Sequence, residues 1–205
     1  MDISEIFNCL DEQCNLSLSA IRLVSTSEYL KNEEMIIIRD MVIKQAFVSV
    51  FTEWEHFLEN ITIAYSLGAV SIKGHCPKCY INPKDEGHAE QLIKGSSKSK
   101  YTDWSDAETV VALEEILFEK GAPFKETFQG FLSKYKEIKV VRNHIVHNSR
   151  KSSLEFDSLV RTALYAAKVG ISPTEFLLSK KGKNPVFYDI YIGYILNAAK
   201  RIAEY

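Results

Sequence analysis

One short stretch of the chain combines side chains suited to acid–base chemistry at a phosphate. It reads Val-Arg-Asn-His-Ile-Val-His-Asn over residues 141–148, and its polar groups of interest are Arg142, Asn143 and His147. Histidine exchanges a proton near neutral pH, and arginine offers a planar fork of donors that stabilises charge on phosphoryl oxygens. RNA supplies its own nucleophile in the 2′-hydroxyl, so these groups would suffice for RNA cleavage without a metal.

The spacing inside this motif decides which of its groups can meet. Asn143 and His147 are four residues apart, so they share a face if the helix continues. Arg142 and His147 are five residues apart, and about 140° separates them on an ideal helix. We therefore expect Arg142 and His147 to converge only near a helix end or across an interface between two copies of the chain.

Arg142 also occupies a position where an apolar residue would be expected. It continues, at intervals of three and four residues, the apolar stripe of Phe128, Phe131, Tyr135 and Ile138. A guanidinium on such a line is costly unless it is paired and hydrogen-bonded. A structural interpretation therefore stays open, in which Arg142 is a paired or snorkelling residue and the two histidines are polar groups at a helix end.

Two further residues could support the motif. Glu55 interrupts an apolar line that includes Phe51, and it either orients Arg142 through a bidentate ion pair or lies exposed at the edge of that line. Since charges on apolar lines are tolerated when they are paired, we expect Glu55 to contact Arg142. His144 is a second histidine candidate, outside the spacing of Arg142 and His147.

Helical periodicity predicts the helices on which these groups lie. The first predicted helix runs from about Asp2 to about Tyr29, and the second from about Asn32 to about Leu67. The second has an apolar seam typical of a helix packed against neighbours. That seam consists of Ile43, Phe47, Val50, Trp54, Phe57, Ile61 and Ala64. No strand pattern and no internal repeat is found, so the sequence predicts an all-α bundle of six or seven helices.

Residues 68–104 differ from this pattern, because Gly, Lys, Ser, Asn, Asp and His crowd there and the periodicity disappears. We interpret them as an irregular insert in a single domain that spans residues 1–205. Helix-start signals return after it. Capping boxes are predicted at residues 105–108 and 152–155, and Ser172 precedes a proline at the first position of a short helix.

The insert contains a pair of cysteines at metal-ligand spacing. Cys76 and Cys79 form a Cys-x-x-Cys element that resembles half of a zinc knuckle. Zinc takes four ligands, and His75 and His88 are the nearby residues that could complete the set. A structural zinc would stabilise an insert that lacks a core of its own. The alternatives are a turn without metal and a redox pair.

Charge is distributed unevenly along a chain whose net charge is −2. Residues 1–60 hold eleven acidic and four basic side chains, whereas residues 131–151 hold six basic side chains against Glu137. The basic run is either a solvated helix face or a surface for a polyanion such as RNA. Its predicted RNA-binding residues are Lys134, Lys136, Lys139, Arg150 and Lys151.

Composition and termini exclude several classes of protein. The chain has 205 residues, of which 46% are hydrophobic and 25% are charged, as in ordinary globular proteins and unlike disordered or collagenous chains. The N-terminal residues lack the basic and apolar regions of a signal peptide. No apolar run approaches the roughly 20 residues that a membrane span needs. We therefore expect a cytoplasmic protein with no membrane partner.

The motif and its context resemble the HEPN superfamily. The residues Arg142, Asn143 and His147 match the signature Arg-x4–6-His, usually Arg-Asn-x-x-x-His, and the stretch FVSVFTEWEHFLENI resembles the second helix of stand-alone bacterial HEPN proteins. The order of long helices, variable insert and motif helix is also similar. Many antitoxin-paired members read His-x-Tyr at the end of the motif, whereas this chain reads His147-Asn148-Ser149.

The resemblance implies an all-α bundle that dimerises so that two motifs face one cleft. It further implies a metal-independent endoribonuclease that needs no cofactor, with Arg142 and His147 as the catalytic pair and Asn143 as the accompanying polar residue. Many such proteins are toxins or anti-phage effectors, with an antitoxin or defence partner. The alternative is a catalytically silent dimer that binds RNA, a nucleotide or a partner protein through its basic face.

Overall fold

The computed structural model describes residues 2–95, 102–164 and 170–205. Within these ranges it contains eight α-helices and no β-strand, which confirms the all-α prediction with one helix more than its upper figure. The helices are α1 Ile3–Val24, α2 Glu33–Ser66, α3 Glu86–Gly95, α4 Ala107–Leu117, α5 Phe124–His147, α6 Arg150–Leu164, α7 Pro173–Leu178 and α8 Phe187–Ala203. Short 3₁₀ turns lie at Ser27–Leu30 and Glu119–Gly121.

The described residues form two compact units. Unit 1 comprises the residues up to Asp11 together with Glu53–Tyr135 and Ile195–Tyr205. Unit 2 comprises Glu12–Thr52 and Lys136–Tyr194. Helices α1, α2, α5 and α8 each contribute residues to both units. The single domain over residues 1–205 stays a prediction.

The core of unit 1 is built on Trp54 of α2. Its ring packs on the α5 rings of Phe128, Phe131 and Tyr135, with centroid distances of 6.0, 6.0 and 6.3 Å. The Tyr135 hydroxyl donates to the carbonyl oxygen of Trp104 at 3.1 Å, which satisfies its polar atom inside this core. The apolar stripe of the motif helix is therefore a packing face, as its periodicity predicted.

The core of unit 2 is a run of aromatic rings from α2, α6, α7 and α8. Phe156 meets Phe176 edge to face at 5.6 Å, and Phe176 stacks on Phe187 at 4.5 Å. Tyr191 contacts Phe47 at 6.3 Å, and its hydroxyl donates to Glu137 Oε2 at 3.0 Å. Aromatic pairs in these arrangements add stability beyond the area that they bury, so α7, a helix of only six residues, is firmly anchored.

The seam predicted for α2 is buried at every position, with exposed fractions between 0% and 2%. This confirms that periodicity alone located the buried face of the longest helix. The first helix is shorter than predicted, because it ends at Val24 and a 3₁₀ turn follows at Ser27–Leu30. No helix in the described part of the chain has the length and the apolar composition that crossing a bilayer requires.

The predicted helix starts have different outcomes. Ser172 caps α7 in a full capping box with Pro173 in its first turn, as predicted. The cap of α4 is Asp106, one residue later than the predicted box, since its carboxylate accepts from the Thr109 amide at 3.0 Å. The box predicted at residues 152–155 is wrong, because α6 already begins at Arg150.

The described part of the segment predicted as an irregular insert, residues 68–95 and 102–104, holds one helix of its own. Helix α3 occupies Glu86–Gly95 and buries Ala89 and Ile93. Residues before it run beside the end of α4, where Cys79 pairs with Phe118 in an isolated antiparallel bridge and the Tyr80 amide donates to the Leu117 carbonyl at 2.8 Å. These contacts belong to unit 1, and they fix the position of the residues around Cys79.

Candidate functional site

The motif lies at the C-terminal end of α5. The helix continues through His147 and stops because Asn148 adopts a left-handed backbone, with φ of 41°. The Asn148 amide still donates to the His144 carbonyl at 3.1 Å, closing the last turn. Asparagine tolerates this conformation at helix ends better than most residues. The sequence therefore places Arg142, Asn143 and His147 on one unbroken helix of unit 2.

The guanidinium of Arg142 is held by two neighbours in unit 2. Its Nη1 donates to Asn143 Oδ1 at 3.1 Å, and its Cζ lies 5.3 Å from the centroid of the Phe51 ring. Arg142 and Asn143 are both half-buried. A cation over an aromatic face is attracted by the electron density of the ring, by about 0.5 to 2 kcal/mol. The fold thus places the Phe51 ring beside the Arg–Asn pair of the motif.

His147 is exposed at the last position of α5. Among the described residues, none forms a hydrogen bond or an ion pair with its ring. On a continuous helix, His147 lies about 140° around the axis and about 7.5 Å along it from Arg142. One chain therefore does not assemble Arg142 and His147 into a single hydrogen-bonded site, which agrees with the expectation from their spacing.

His144 packs inside unit 2. Its ring stacks on Phe156 of α6, with a centroid distance of 4.6 Å and an interplanar angle of 16°. Its Nδ1 is buried without a hydrogen-bond partner among the described residues. Burial lowers the pKa of His144 below 6.5, against the opposing influence of Asp157. His144 therefore packs α5 against α6. The supporting role in the site stays a prediction.

Glu55 is half-buried on α2. It belongs to unit 1, whereas Arg142 belongs to unit 2. The contact between Glu55 and Arg142 stays a prediction.

The basic residues around the motif differ in exposure. Lys136, Arg150 and Lys151 are exposed, whereas Lys134 and Lys139 are half-buried. Lys151 Nζ lies 3.9 Å from Glu155 Oε1, a weak surface pair on α6. The exposed members keep their charge accessible to a polyanion, which is what the predicted RNA-binding face requires.

An apolar groove opens beside the motif in unit 2, with a volume of about 720 Å³. Its walls come from α1, α2 and α5, and Ile145 and Val146 line it between the Arg and the His of the motif. Leu16, Met41 and Val146 in these walls are 66%, 63% and 49% exposed. An exposed apolar surface of this kind is a candidate interaction site. Neither this groove nor the role of Phe51 under Arg142 was predicted from the sequence.

One signal in the sequence could have revealed the exposed apolar surface at the start of α2, from which Met41 also lines the groove. Helix α2 carries Met35, Ile36, Ile37, Ile38 and Met41 near its start, more apolar residues than one buried face can use. All five are exposed by 38% to 63% of their surface.

The four predicted zinc ligands are not brought together. Within the described residues, no group of three or more His, Cys, Asp or Glu side chains could hold a metal ion. His75 Nδ1 donates to the Tyr205 carbonyl at 2.8 Å, and His88 Nδ1 accepts from the Lys84 amide at 3.1 Å. Cys76 is exposed, and burial raises the pKa of the Cys79 thiol, which opposes the thiolate that zinc needs. The residues present therefore do not fit the predicted zinc site, because other contacts fix them.

Comparison of the chain with protein-family models, with curated proteins and with solved structures finds no match. A functional interpretation therefore depends on the motif, the site geometry and the exposed surfaces described above.

Proposed function

We infer that the chain is a metal-independent endoribonuclease of HEPN type that acts as a homodimer. The observation that carries this proposal is the position of Arg142, whose guanidinium is held by Asn143 at 3.1 Å and by the Phe51 ring at 5.3 Å. A cation fixed before the substrate arrives stabilises phosphoryl charge without reorganising.

Proton transfer is assigned to His147. In the proposed reaction the 2′-oxygen of RNA attacks the adjacent phosphorus, the bond from phosphorus to the 5′-oxygen breaks, and a 2′,3′-cyclic phosphate and a 5′-hydroxyl result. One histidine accepts the proton of the 2′-hydroxyl, and a second donates a proton to the leaving 5′-oxygen. His147 is exposed at the helix end, so its ring is accessible to a bound strand.

A dimer supplies what one chain lacks. Arg142 and His147 diverge on α5, and two copies related by a twofold axis would place two motifs in one cleft. The apolar groove supports this arrangement, since Ile145 and Val146 of the motif helix line it together with Met41 and Leu16. An isologous contact over the groove would bury these exposed apolar side chains, which is favourable by about 25 cal/mol per Å².

The test of this proposal uses purified protein and single-stranded RNA in excess EDTA. Wild type should cut the RNA and leave cyclic-phosphate ends, and RNA with a 2′-deoxy residue at the cleaved position should resist. Arg142→Ala and His147→Ala should each lose about 10² to 10⁴ in rate. The matched controls are Arg161→Ala and His56→Ala, which replace exposed residues outside the motif and should keep full activity.

Folding must be separated from chemistry in this test. Each variant should melt at the temperature of wild type, and a variant that melts earlier is replaced by Arg142→Lys or His147→Gln. If wild type leaves RNA intact in every buffer, or if His147→Ala cuts as fast as wild type, the endoribonuclease proposal fails.

The second candidate is a catalytically silent dimer that binds RNA, a nucleotide or a partner protein. One observation favours it: no described residue orients the His147 ring, whereas a general base is usually oriented by a further group. A role as a toxin or anti-phage effector rests on the resemblance to HEPN proteins. Induced expression in bacteria, where wild type should stop growth and His147→Ala should not, tests that role.

A further inference from the structure

A second cleft, distant in sequence from the motif, lies within unit 1. Its volume is about 1040 Å³. It is bounded by the loop that carries Lys73 and Lys78, by the turn at Lys120, by the start of α5 and by the last two turns of α8. This cleft shares no residue with the Arg–His motif or with the apolar groove.

The cleft is lined by more cations than carboxylates. Five basic side chains and three glutamates face it. Three of the cations form ion pairs within the cleft. The Nζ atoms of Lys73 and Lys200 lie 2.9 and 3.7 Å from the carboxylate of Glu204, and Lys78 Nζ lies 3.4 Å from Glu119 Oε1. The hydrogen bond from Lys73 holds the pKa of Glu204 below its usual value, so that carboxylate stays ionised.

Lys120 and Arg201 are the other two basic residues that line the cleft. Neither forms an ion pair with any described residue, and both are exposed. The Arg201 guanidinium lies by Gly130 of α5, where an added Cβ would be 3.6 Å from Nη1. Unpaired cations that line a concave surface attract anions more strongly than the same charges on a convex surface.

The backbone at Lys120 is unusual for a lysine. Its φ and ψ are 60° and 14°, in the left-handed region that favours glycine. The turn is held from both sides, because the Gly121 amide donates to the Phe118 carbonyl at 2.9 Å and the Glu119 amide donates to the Lys78 carbonyl at 2.8 Å. A lysine thus lines the cleft at a backbone position where glycine would fit more easily.

The remaining walls suit an organic group attached to the anion. Ala122, Pro123 and the ring of Tyr205, which is 40% exposed, give an apolar side, and Asn197 offers an amide donor and acceptor. Aromatic rings stack on nucleic-acid bases of every type. The volume matches pockets for ligands of nucleotide size and exceeds what inorganic phosphate needs.

We propose that this cleft binds a nucleoside polyphosphate, with Lys120 and Arg201 on the phosphates and with Tyr205 and Asn197 at the base. The proposal does not depend on RNA cleavage, and its test measures binding alone. Three probes separate the parts of the ligand: ATP, tripolyphosphate and adenosine, each titrated calorimetrically into the full chain with EDTA at low salt.

The expected result is that ATP binds, that tripolyphosphate binds about tenfold more weakly, and that adenosine binds more weakly still. Lys120→Asn and Arg201→Gln should each weaken ATP binding about tenfold, and asparagine accepts the left-handed backbone at position 120. The matched control is Lys94→Gln, which removes an exposed lysine of α3 in the same unit, outside the cleft.

Three results would overturn the proposal. They are an absence of ATP binding at millimolar concentration, equal binding by tripolyphosphate and ATP, and undiminished ATP binding by both variants. Added salt should weaken ATP binding, since the two cations are exposed and screened by ions. Melting temperatures equal to that of wild type establish that Lys120→Asn and Arg201→Gln are folded.

Discussion

The guanidinium of Arg142 lies over the ring of Phe51, with Cζ 5.3 Å from the ring centroid. Phe51 comes from α2 and is fully buried, and Arg142 comes from α5. The ring therefore acts as a fixed platform for the arginine of the motif. This relationship makes an apolar residue of the core part of the proposed phosphate site.

Replacing Phe51 by leucine tests the platform. Phe51→Leu keeps an apolar side chain under Arg142 and removes the aromatic face, so RNA cleavage should fall about tenfold while stability falls by about 1 to 2 kcal/mol. Phe57→Leu is the matched control, because Phe57 is an equally buried phenylalanine of α2. Urea unfolding should show similar losses for both, and cleavage should separate them. Equal activity of the two variants would show that the ring has only a packing role.

Introducing a charged residue into the apolar groove tests whether two copies of the chain associate through it. Met41 is 63% exposed, so Met41→Asp should leave the folded chain intact and prevent a second copy from covering the groove. Wild type should sediment as a dimer, at twice the chain mass of 23.4 kDa. Met41→Asp should sediment as a monomer, at the mass of one chain. Leu154→Asp is the matched control, since Leu154 is 61% exposed on α6 and lies outside the groove. A monomeric wild type at working concentration contradicts the composite site.

The stacking of His144 on Phe156 predicts a pH effect on stability. Burial lowers the pKa of His144 in the folded state, so the unfolded state binds the proton more readily. The contribution of His144 to stability is full above pH 6.5 and is lost as the pH falls through its folded pKa. His144→Phe should keep the stack and flatten the fall in melting temperature below that pH. Parallel melting curves of wild type and variant between pH 7.5 and about 5 would contradict this account.

The buried carboxyl of Glu114 predicts the opposite slope. Burial raises its pKa to about 8, while Thr62 donates to its Oε1 at 2.6 Å. The folded state therefore holds the proton more tightly, and the contribution is full below pH 4.5 and is lost as the pH rises to about 8. Glu114→Gln keeps an acceptor for Thr62 and cannot ionise.

Urea unfolding at several pH values measures this slope. Between pH 5 and 8, wild type should lose about 1 to 3 kcal/mol more of its unfolding free energy than Glu114→Gln does. The comparison of slopes is independent of any constant cost of placing an amide at position 114. An identical pH dependence of the two proteins would mean that Glu114 is ionised in the fold throughout.

The helices that carry the site could be predicted from the sequence. The seam of α2 from Ile43 to Ala64 and the stripe of α5 from Phe128 to Ile138 were predicted and are buried. They could be predicted because the apolar pattern of a helix recurs every turn and can be read along a single segment. The divergence of Arg142 and His147 also follows from their spacing on one helix.

The contacts that these side chains make between helices could not be predicted from the sequence. Nothing in the spacing of α2 predicts that Phe51 lies under Arg142, or that His144 stacks on Phe156, since each pair joins two helices. The Cys-x-x-Cys pair has metal-ligand spacing, yet His75 and His88 form hydrogen bonds with the backbone of Tyr205 and Lys84. Local patterns determine which face of a helix is buried, whereas the partner on that face depends on how distant helices pack.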